Sequence, residues 1–226
     1  MPQQYEGILP IIKPTGKTSF SLVAQLRKLT RIKKIGHSGT LDPFASGVMI
    51  LLIGRQYTRL ADKIQSEEKE YRATIHLGIT TDTYDTEGVS IAHSPYIPST
   101  EQVEQTLLQF QGTILQTPPM FSAKKVQGQK LYELARKGIT IERTAVPVTL
   151  HITLLSYHYP QLDIHVRCSK GTYIRSLAFD IGEQLGCGAH LSQLIRTKNG
   201  CFSLDDCCDA LQLADATYDW TSYLKT

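Results

Sequence analysis

The feature that most constrains this chain is the segment 36–47, GHSGTLDPFASG, which the apolar run 48–53, VMILLI, follows directly. Its one carboxylate, Asp42, lies among three glycines and a proline. Glycine adopts backbone angles that other residues avoid and lets a ligand approach closely, whereas proline stiffens the chain. The pattern predicts a shaped loop before a buried strand, with Asp42 either presented to a bulky substrate or serving as an ordinary turn residue.

The composition is that of a globular protein, with 41% hydrophobic and 20% charged residues. Its 226 residues suffice for one large domain or two small ones with a sizeable apolar core. The net charge of +3 is modest, but the basic residues concentrate in two clusters. Two such clusters around a candidate loop favour a polyanionic partner over a merely solvated surface. They are Arg27, Lys28, Arg31, Lys33 and Lys34, and Lys124, Lys125, Lys130, Arg136, Lys137 and Arg143.

The cysteine pattern argues against a disulfide framework and a zinc site, because the five cysteines are odd in number and include no C-x-x-C pair. His37 also lacks further ligands at a recognisable spacing, so we predict no metal. Reduced thiols fit a cytoplasmic protein. The sequence shows neither a signal peptide nor an apolar run long enough to span a bilayer, so we expect no membrane contact.

Apolar spacings predict an α+β fold with a central, mainly antiparallel sheet flanked by helices and loops. Ser99 and Gln102 form a capping-box signature at the start of one helix. We expect one domain, with a short C-terminal tail from about residue 205. The predicted helices are 18–29, 57–64, 99–112, 173–185 and 205–213, and the predicted strands are 48–53, 71–77, 148–157, 162–168, 191–196 and 201–204, with an acidic loop at 80–88 and a hairpin joined at Pro160.

The segment 36–47 resembles the catalytic-aspartate motif of the TruB-type tRNA pseudouridine synthases, which has Gly-His, a further glycine and then Leu-Asp-Pro. Other segments resemble motifs of the same family in the expected order, from about residue 7 to about residue 205. They are Lys13-Pro14, Glu70-Tyr71-Arg72, TDTYDTEG at 81–88, a basic RNA-gripping segment at 116–138, CSKGTYIR at 168–175 and LSQLIRT at 191–197. The resemblance implies the pseudouridine-synthase fold. Two departures are Phe121, where the family usually has tyrosine, and the second lysine, Lys125.

The same resemblance implies a catalytic set of Asp42, Tyr71 and Arg175. The carboxylate of Asp42 acts beside the glycosidic carbon, and a guanidinium paired with it favours its ionised form. Tyr71 stacks on the target base, a contact that contributes about 1–3 kcal/mol. Residues with implied substrate- or RNA-binding roles are Lys13 near the active site, His37 in the space left by flipped nucleotides, Asp85 as the partner that orients Arg175, Lys124 in the RNA-gripping segment, and Leu191 in the uracil pocket.

The implied activity is the isomerisation of uridine 55 in the TΨC loop of tRNA to pseudouridine. The base is flipped, its bond from N1 to C1′ is cleaved, and the rotated base is rejoined through C5. Because the bonds broken and formed balance within one nucleotide, no cofactor is implied. Asp42 either attacks C1′ or acts through a glycal intermediate, and both routes stay open. We expect tRNA as the partner of a monomer that needs no obligate protein partner.

Two other function classes are weighed against this one. A non-catalytic tRNA-folding chaperone on the same scaffold would be indicated by loss of Asp42, Tyr71 or Arg175, and all three are present. A nucleotide hydrolase is excluded because the Gly-Lys-Thr at 16–18 lacks the glycine expected at Ile11. Many relatives carry a C-terminal RNA-binding PUA domain, for which the residues after Leu213 are too few, so we expect weaker or differently placed contacts to the acceptor side of tRNA.

Overall fold

The computed structural model describes residues 5–126 and 128–226 of the chain. They divide into two units, one formed by residues up to 71 together with 194–226, and the other by residues 72–193. The chain passes from one unit to the other within two strands, β4 (Lys69–Leu77) and β12 (Ala189–Asn199). Each unit is described by itself below.

The first unit is built on the apolar strand that follows the Asp42 loop. This strand, β3, pairs antiparallel with β1 and β2 and parallel with β12, and the short β14 extends the sheet alongside β1. Its side chains are buried on both faces, as a continuous apolar run requires. The elements are β1 (Gly7–Lys13), α1 (Ser19–Thr30), β2 (Ile35–Ser38), β3 (Ser46–Ile53), α2 (Arg55–Thr58), α3 (Ala61–Ser66), β13 (Phe202–Ser203) and β14 (Cys208–Asp209).

Helix α1 covers one face of this sheet, and its sequence explains both of its ends. The hydroxyl of Thr18 accepts a hydrogen bond from the backbone N–H of Ser21 and caps the first turn. The apolar stripe of Leu22, Val23 and Leu26 is buried in the core. The helix ends at Arg31, whose left-handed backbone returns its N–H to the carbonyl of Arg27. The predicted helix is thereby confirmed within one residue at each end.

The predicted helix over 205–213 is wrong. The segment instead contains a 3₁₀ turn at Leu204–Asp206, strand β14 and a second 3₁₀ turn at Gln212–Ala214. Cys207 and Cys208 are both buried, in two different apolar clusters. Such alternation suits a strand, whereas a helix would turn neighbouring side chains by only about 100°.

The remaining C-terminal residues form part of the core and are not a loose tail. A 3₁₀ turn at Trp220–Tyr223 buries Trp220, whose ring lies 5.0 Å from that of Tyr5 between centroids. Leu213 belongs to the same cluster. The backbone of Lys225 pairs with Ile8 on β1 in both directions, at 2.7 and 2.9 Å.

The second unit carries a long antiparallel hairpin of β10 and β11, with β7 beside β10 and β4 beside β11. The hairpin and the Ser99–Gln102 capping box are confirmed, and Gly186 ends α6 in the left-handed conformation. The predicted helix at 57–64 is two short helices, α2 and α3. The elements are β5 (Ile79–Thr81), β6 (Ser90–His93), α4 (Thr100–Gln109), β7 (Gly112–Gln116), β8 (Lys125–Val126), β9 (Gln129–Lys130), α5 (Leu131–Ala135), β10 (Val146–His158), β11 (Gln161–Cys168) and α6 (Ile174–Leu185).

The strand pairings confirm the predicted fold class. Most of the strand pairs described above run antiparallel, whereas β1 with β14 and β3 with β12 run parallel. The predicted acidic loop lies between the two strands of the β5–β6 hairpin. No helix among the described residues is long and apolar enough to cross a membrane.

Candidate active site

The Asp42 loop connects β2 to β3 in the first unit, and buried polar groups hold it on both sides. On the downstream side, the ammonium of Lys13 donates a hydrogen bond of 3.1 Å to the carbonyl of Pro43, and the N–H of Gly16 donates one of 2.8 Å to the same oxygen. Lys13 is fully buried and also bonds the carbonyls of Pro14 and Lys17. Its burial makes Lys13 a support for the loop, and the substrate-binding role of Lys13 stays a prediction.

On the upstream side, Ser19 holds the residue before Asp42. Its hydroxyl donates to the carbonyl of Leu41 at 3.0 Å and accepts from the N–H of Leu41 at 2.9 Å. Ser19 is the first residue of α1, and Leu41 is buried. Because both neighbours of Asp42 are fixed by hydrogen bonds, the backbone of the aspartate is held in one place relative to β1 and α1.

The two ends of the loop are joined by Arg196, which the sequence analysis did not single out. This side chain is 1% exposed and lies on β12. Its Nε donates to the carbonyl of Val48 at 2.6 Å, and its Nη2 donates to the carbonyl of Gly39 at 3.1 Å. The rigid fork of a guanidinium can satisfy two such carbonyls at once, which a lysine ammonium on a flexible stem cannot do in the same geometry.

Gly47 allows this approach of β12. Its φ is +107°, and a Cβ at this position would collide with the backbone of Arg196, its direct partner in the parallel pairing of β3 and β12. The glycine of the loop motif is therefore explained by a close contact between two strands. A charged residue within the apolar spacing of 191–196 is the one signal in the sequence that could have pointed to Arg196.

His37 lies on β2, where it pairs with Leu51 of β3. Burial lowers the pKa of its imidazole, and the positive charge of Arg196 lowers it further. Its Nδ1 is buried, and no described group forms a hydrogen bond with it. The ring is thus neutral near pH 7 and suited to packing rather than to binding an anion through its charge.

Tyr71 occupies a buried position in the alternating pattern of β4 and is 8% exposed. The predicted strand is confirmed at this point, from Lys69 to Leu77. Strand residues of this kind have well-defined side-chain directions, because successive residues point to opposite faces. The phenol is therefore presented from a rigid element.

In the second unit, Arg175 and Asp85 form a buried ion pair. Nη1 of Arg175 lies 3.3 Å from Oδ2 of Asp85, and the two side chains are 5% and 4% exposed. Asp85 also accepts hydrogen bonds from the hydroxyl of Thr83 at 2.6 Å and from the N–H of Glu87 at 2.9 Å. Arg175 further donates to the carbonyls of Thr83, at 3.2 Å, and Phe121, at 2.8 Å. This network fixes the guanidinium at the first turn of α6.

Two further contacts tie the turn that carries Asp85 to its surroundings. Tyr84 has a left-handed backbone with φ of 64°, and its ring stacks on that of Phe179 at 4.1 Å between centroids. Phe179 lies one helical turn after Arg175, on the same side of α6. Leu191, fully buried on β12, donates from its N–H to the carbonyl of Tyr84 at 2.9 Å. The structure thus brings Asp85, Arg175 and Leu191 together in this unit.

The RNA-gripping segment 116–138 lies in the second unit, and residue 127 falls outside the described part of the chain. Lys124 is partly exposed, and its carbonyl accepts from the N–H of Leu131 at 2.9 Å. Phe121 contributes its backbone oxygen to Arg175. Because Phe121 uses its backbone oxygen, this hydrogen bond with Arg175 does not depend on the hydroxyl that the family's usual tyrosine would carry at this position. Within residues 5–126 and 128–226, no group of three metal-binding side chains is found.

Comparison with known proteins supports the same family along the whole chain. Residues 27–174 match the family described as TruB family pseudouridylate synthase (N terminal domain), and residues 175–226 match the tRNA pseudouridylate synthase B C-terminal domain. A protein named tRNA pseudouridine synthase B from Protochlamydia amoebophila is 56% identical over 216 residues, which cover 96% of this chain and 82% of the relative. The protein of that name from Chlamydia pneumoniae is 56% identical over 220 residues, covering 97% and 94%.

Solved structures agree with this assignment. A chain in the crystal structure of a Cbf5–Nop10–Gar1 complex superimposes with a TM-score of 0.74 at 29% identity, covering 95% of this chain and 55% of that one. A chain in the structure of an H/ACA RNP bound to a substrate RNA containing 2′-deoxyuridine gives 0.70 at 28% identity, covering 96% and 55%. This chain spans about half the length of those solved chains. The predicted α+β pseudouridine-synthase fold is confirmed, and the chain belongs to the TruB family of pseudouridylate synthases.

Proposed function

We propose that this protein isomerises uridine 55 in the TΨC loop of tRNA to pseudouridine. The observation that carries the proposal is the bracing of the Asp42 loop by three buried side chains, Lys13, Ser19 and Arg196. Burying a lysine and an arginine is costly unless they are fully hydrogen-bonded, and here their acceptors include the loop carbonyls of Pro43 and Gly39. Such a support suits a carboxylate that must be held at a reacting carbon, since misplacement by about 1 Å can cost on the order of 100-fold in rate.

The proposed chemistry leaves the composition of the nucleotide unchanged. The bond between N1 and C1′ breaks, the uracil turns in its pocket, and a bond forms between C5 and C1′. The hydrogen on C5 leaves to solvent, and N1 gains a proton in its place. Asp42 either attacks C1′ as a nucleophile or removes the proton on C2′ to give a glycal, and both routes need the ionised carboxylate.

We assign Tyr71 and Arg175 to the catalytic set on the family motifs in which they stand. Tyr71 stacks on the flipped uracil, which contributes about 1–3 kcal/mol. Leu191 lines the base pocket, and Asp85 is a positioning residue for Arg175, supported by their ion pair of 3.3 Å. His37 fills the space that the flipped nucleotides leave in the RNA loop, a role that suits a neutral imidazole. Lys124 contacts a phosphate of the RNA.

The proposed substrate is the T stem-loop of tRNA in the cytoplasm. Bases of an RNA loop are accessible for extrusion, whereas paired bases must first be unpaired. The relatives in Protochlamydia and Chlamydia carry tRNA in their names, and that is the support for this substrate class. We propose that the chain acts as a monomer and without an obligate protein partner, which light scattering of the purified protein, free and with tRNA, would test.

The test is release of tritium from tRNA transcripts labelled at C5 of uridine. We expect release from a transcript with uridine at position 55 and none from one with cytidine there. Asp42→Asn keeps the size of the side chain and removes its charge, so it should abolish release while still binding the transcript. Equal release by Asp42→Asn and the wild type would overturn the assignment of Asp42. Release from the cytidine transcript would overturn the position.

A further inference from the structure

Helix α1 presents one side to solvent that the proposed reaction does not use. Five residues on this side follow the spacing i, i+4, i+7, i+8 and i+11 and share a face. The opposite side carries the buried stripe that packs on the sheet. We call this surface the α1 face, and its members are Phe20, Ala24, Arg27, Lys28 and Arg31.

The stretch of sequence that contains the α1 face carries charge of one sign. Between Glu6 and Asp42 the sequence has seven lysines and arginines and no acidic residue. Lys13 is buried, and the other six basic residues lie at exposed or partly exposed positions. One-sided charge of this density creates a positive potential that attracts a polyanion.

An aromatic ring is part of the same surface. Phe20 is 61% exposed, and the guanidinium of Arg27 lies 5.7 Å from the centre of its ring. Nη2 of Arg27 donates to the carbonyl of Ile35 at 2.7 Å, so the guanidinium is held in place over the ring. An exposed ring beside a fixed guanidinium offers planar surfaces on which an unpaired base can stack.

The α1 face begins at the Asp42 loop. Ser19, which holds Leu41 in both directions, immediately precedes Phe20 in the first turn of the helix. At about 1.5 Å per residue, the face extends roughly 16 Å from Phe20 to Arg31. A strand whose nucleotide reaches Asp42 can therefore continue along the face for a few nucleotides.

We propose that the α1 face binds the RNA strand next to the modified nucleotide, with phosphates on Lys28 and Arg31 and a base against Phe20 and Arg27. The proposal rests on the proposed function, because it takes the bound polyanion to be the substrate RNA. RNA is favoured over an acidic protein because the ring and guanidinium match a base and the face adjoins the Asp42 loop.

Ala24 gives the sharpest test, because it is exposed at the middle of the face. Ala24→Glu places a negative charge there, and Ala24→Gln places a neutral side chain of the same size. Binding of a T stem-loop RNA by the full chain is measured for both, at low salt. We expect Ala24→Glu to bind on the order of tenfold more weakly than Ala24→Gln, because like charges then face each other. Equal affinities would overturn the proposal.

The salt dependence of binding gives an independent readout. We expect Lys28→Gln combined with Arg31→Gln to reduce the slope of log affinity against log salt by about 1.4 to 1.8, since each phosphate contact contributes about 0.7 to 0.9. Lys63→Gln removes an exposed charge on α3 of the same unit and should leave the slope unchanged. A face that serves an acidic protein instead would leave the slope of the double variant at its wild-type value, which would also overturn the proposal.

The binding assay separates this inference from the proposed function. If the wild-type protein releases no tritium from C5, the proposed function is wrong, whatever the RNA affinities of the variants are. If the wild-type protein releases tritium but Ala24→Glu and Ala24→Gln bind the RNA equally, only the proposal for the α1 face is wrong. If the inference holds, Ala24→Glu should raise KM for tRNA by the same factor as the dissociation constant, with kcat unchanged at saturating RNA.

Discussion

Arg196 donates a hydrogen bond of 2.6 Å from Nε to the backbone oxygen of Val48, and this contact fixes the downstream end of the Asp42 loop. The same guanidinium reaches back to the carbonyl of Gly39 at 3.1 Å. One buried side chain therefore joins the two ends of the ten-residue stretch from Gly39 to Val48 and holds its shape. The position of Asp42 depends on a residue more than 150 positions later in the chain.

Arg196→Lys should lower kcat while leaving KM nearly unchanged. Lysine keeps the positive charge but cannot reach both carbonyls with the geometry of a guanidinium, so the loop gains freedom. We expect kcat to fall on the order of 10- to 100-fold, measured at a temperature where the variant is fully folded. The same change should reduce the free energy of unfolding by about 2–4 kcal/mol, since buried carbonyls lose their donors.

Leu213→Ala is the matched control for this prediction. It removes a buried side chain of the same unit that does not contact the loop, at a cost of about 2–5 kcal/mol. If loss of stability alone reduced turnover, the two variants would lose kcat together. An unchanged kcat in Arg196→Lys would show that the brace does not position Asp42.

The buried pair of Arg175 and Asp85 predicts a strong loss of stability when only one partner is removed. Asp85→Asn removes a buried counter-charge from the guanidinium of Arg175, and we expect the free energy of unfolding to fall by about 3–5 kcal/mol. Urea denaturation followed by circular dichroism measures it. Glu133→Gln breaks the exposed pair with Lys130, at 3.8 Å, and should cost less than about 1 kcal/mol.

A double variant identifies the source of this loss. Arg175→Met combined with Asp85→Asn removes both charges, so its cost should be well below the sum of the two single changes. Additive costs would show that the two side chains are not coupled. The comparison is independent of any catalytic role for Arg175, because it measures unfolding alone.

Local signals in the sequence were sufficient for most helices and strands. The cap at Thr18, the alternation in β4 and the capping box at Ser99 each act within a few residues, and the two helices and the strand to which they belong were predicted. The burial of Lys13 and the reach of Arg196 could not be predicted in this way. Each side chain reaches a loop-end carbonyl far away along the chain, about 30 residues for Lys13 and about 150 for Arg196, and no local pattern encodes such contacts.

The C-terminal segment shows how a local pattern can mislead. Buried residues at 207, 208, 210 and 213 fit a helical stripe, but the segment pairs with β1 as a strand at 208–209. The segment forms a strand because Cys208 and Asp209 pair with the edge strand β1, and this tertiary contact outweighs the local pattern.

Trp220→Ala should destabilise the first unit by about 3–5 kcal/mol, because it removes a large buried ring that packs on Tyr5. Thermal and urea unfolding followed by circular dichroism would measure the loss. Trp220→Phe keeps an aromatic ring and should cost less than half as much. If Trp220→Ala unfolds at the wild-type midpoint, the C-terminal residues do not contribute to the core. The chain has one tryptophan, so wild-type fluorescence reports on this core specifically.

Asp180→Asn should stabilise the protein at pH 7 and have no such effect near pH 4. Burial raises the pKa of Asp180 on α6 from 3.8 to about 6, and repulsion from Glu183 adds to the rise. Between these values the folded state binds more protons than the unfolded state, so stability is greatest below 3.8 and falls as the pH rises through 6. Asparagine removes this dependence. Because Asp180 is partly exposed, we expect a gain of only about 1 kcal/mol at pH 7.

Thermal unfolding of Asp180→Asn and the wild type at a series of pH values from 4 to 7 would measure this difference directly. Asp62→Asn, an exposed change on α3, is the control and should shift the midpoint equally little at every pH. The diagnostic result is a gain that grows between pH 4 and 7, because a mere improvement in packing would be independent of pH. A gain in stability that is the same at every pH, or no gain at pH 7, would mean that burial beside Glu183 does not destabilise the charged form of Asp180.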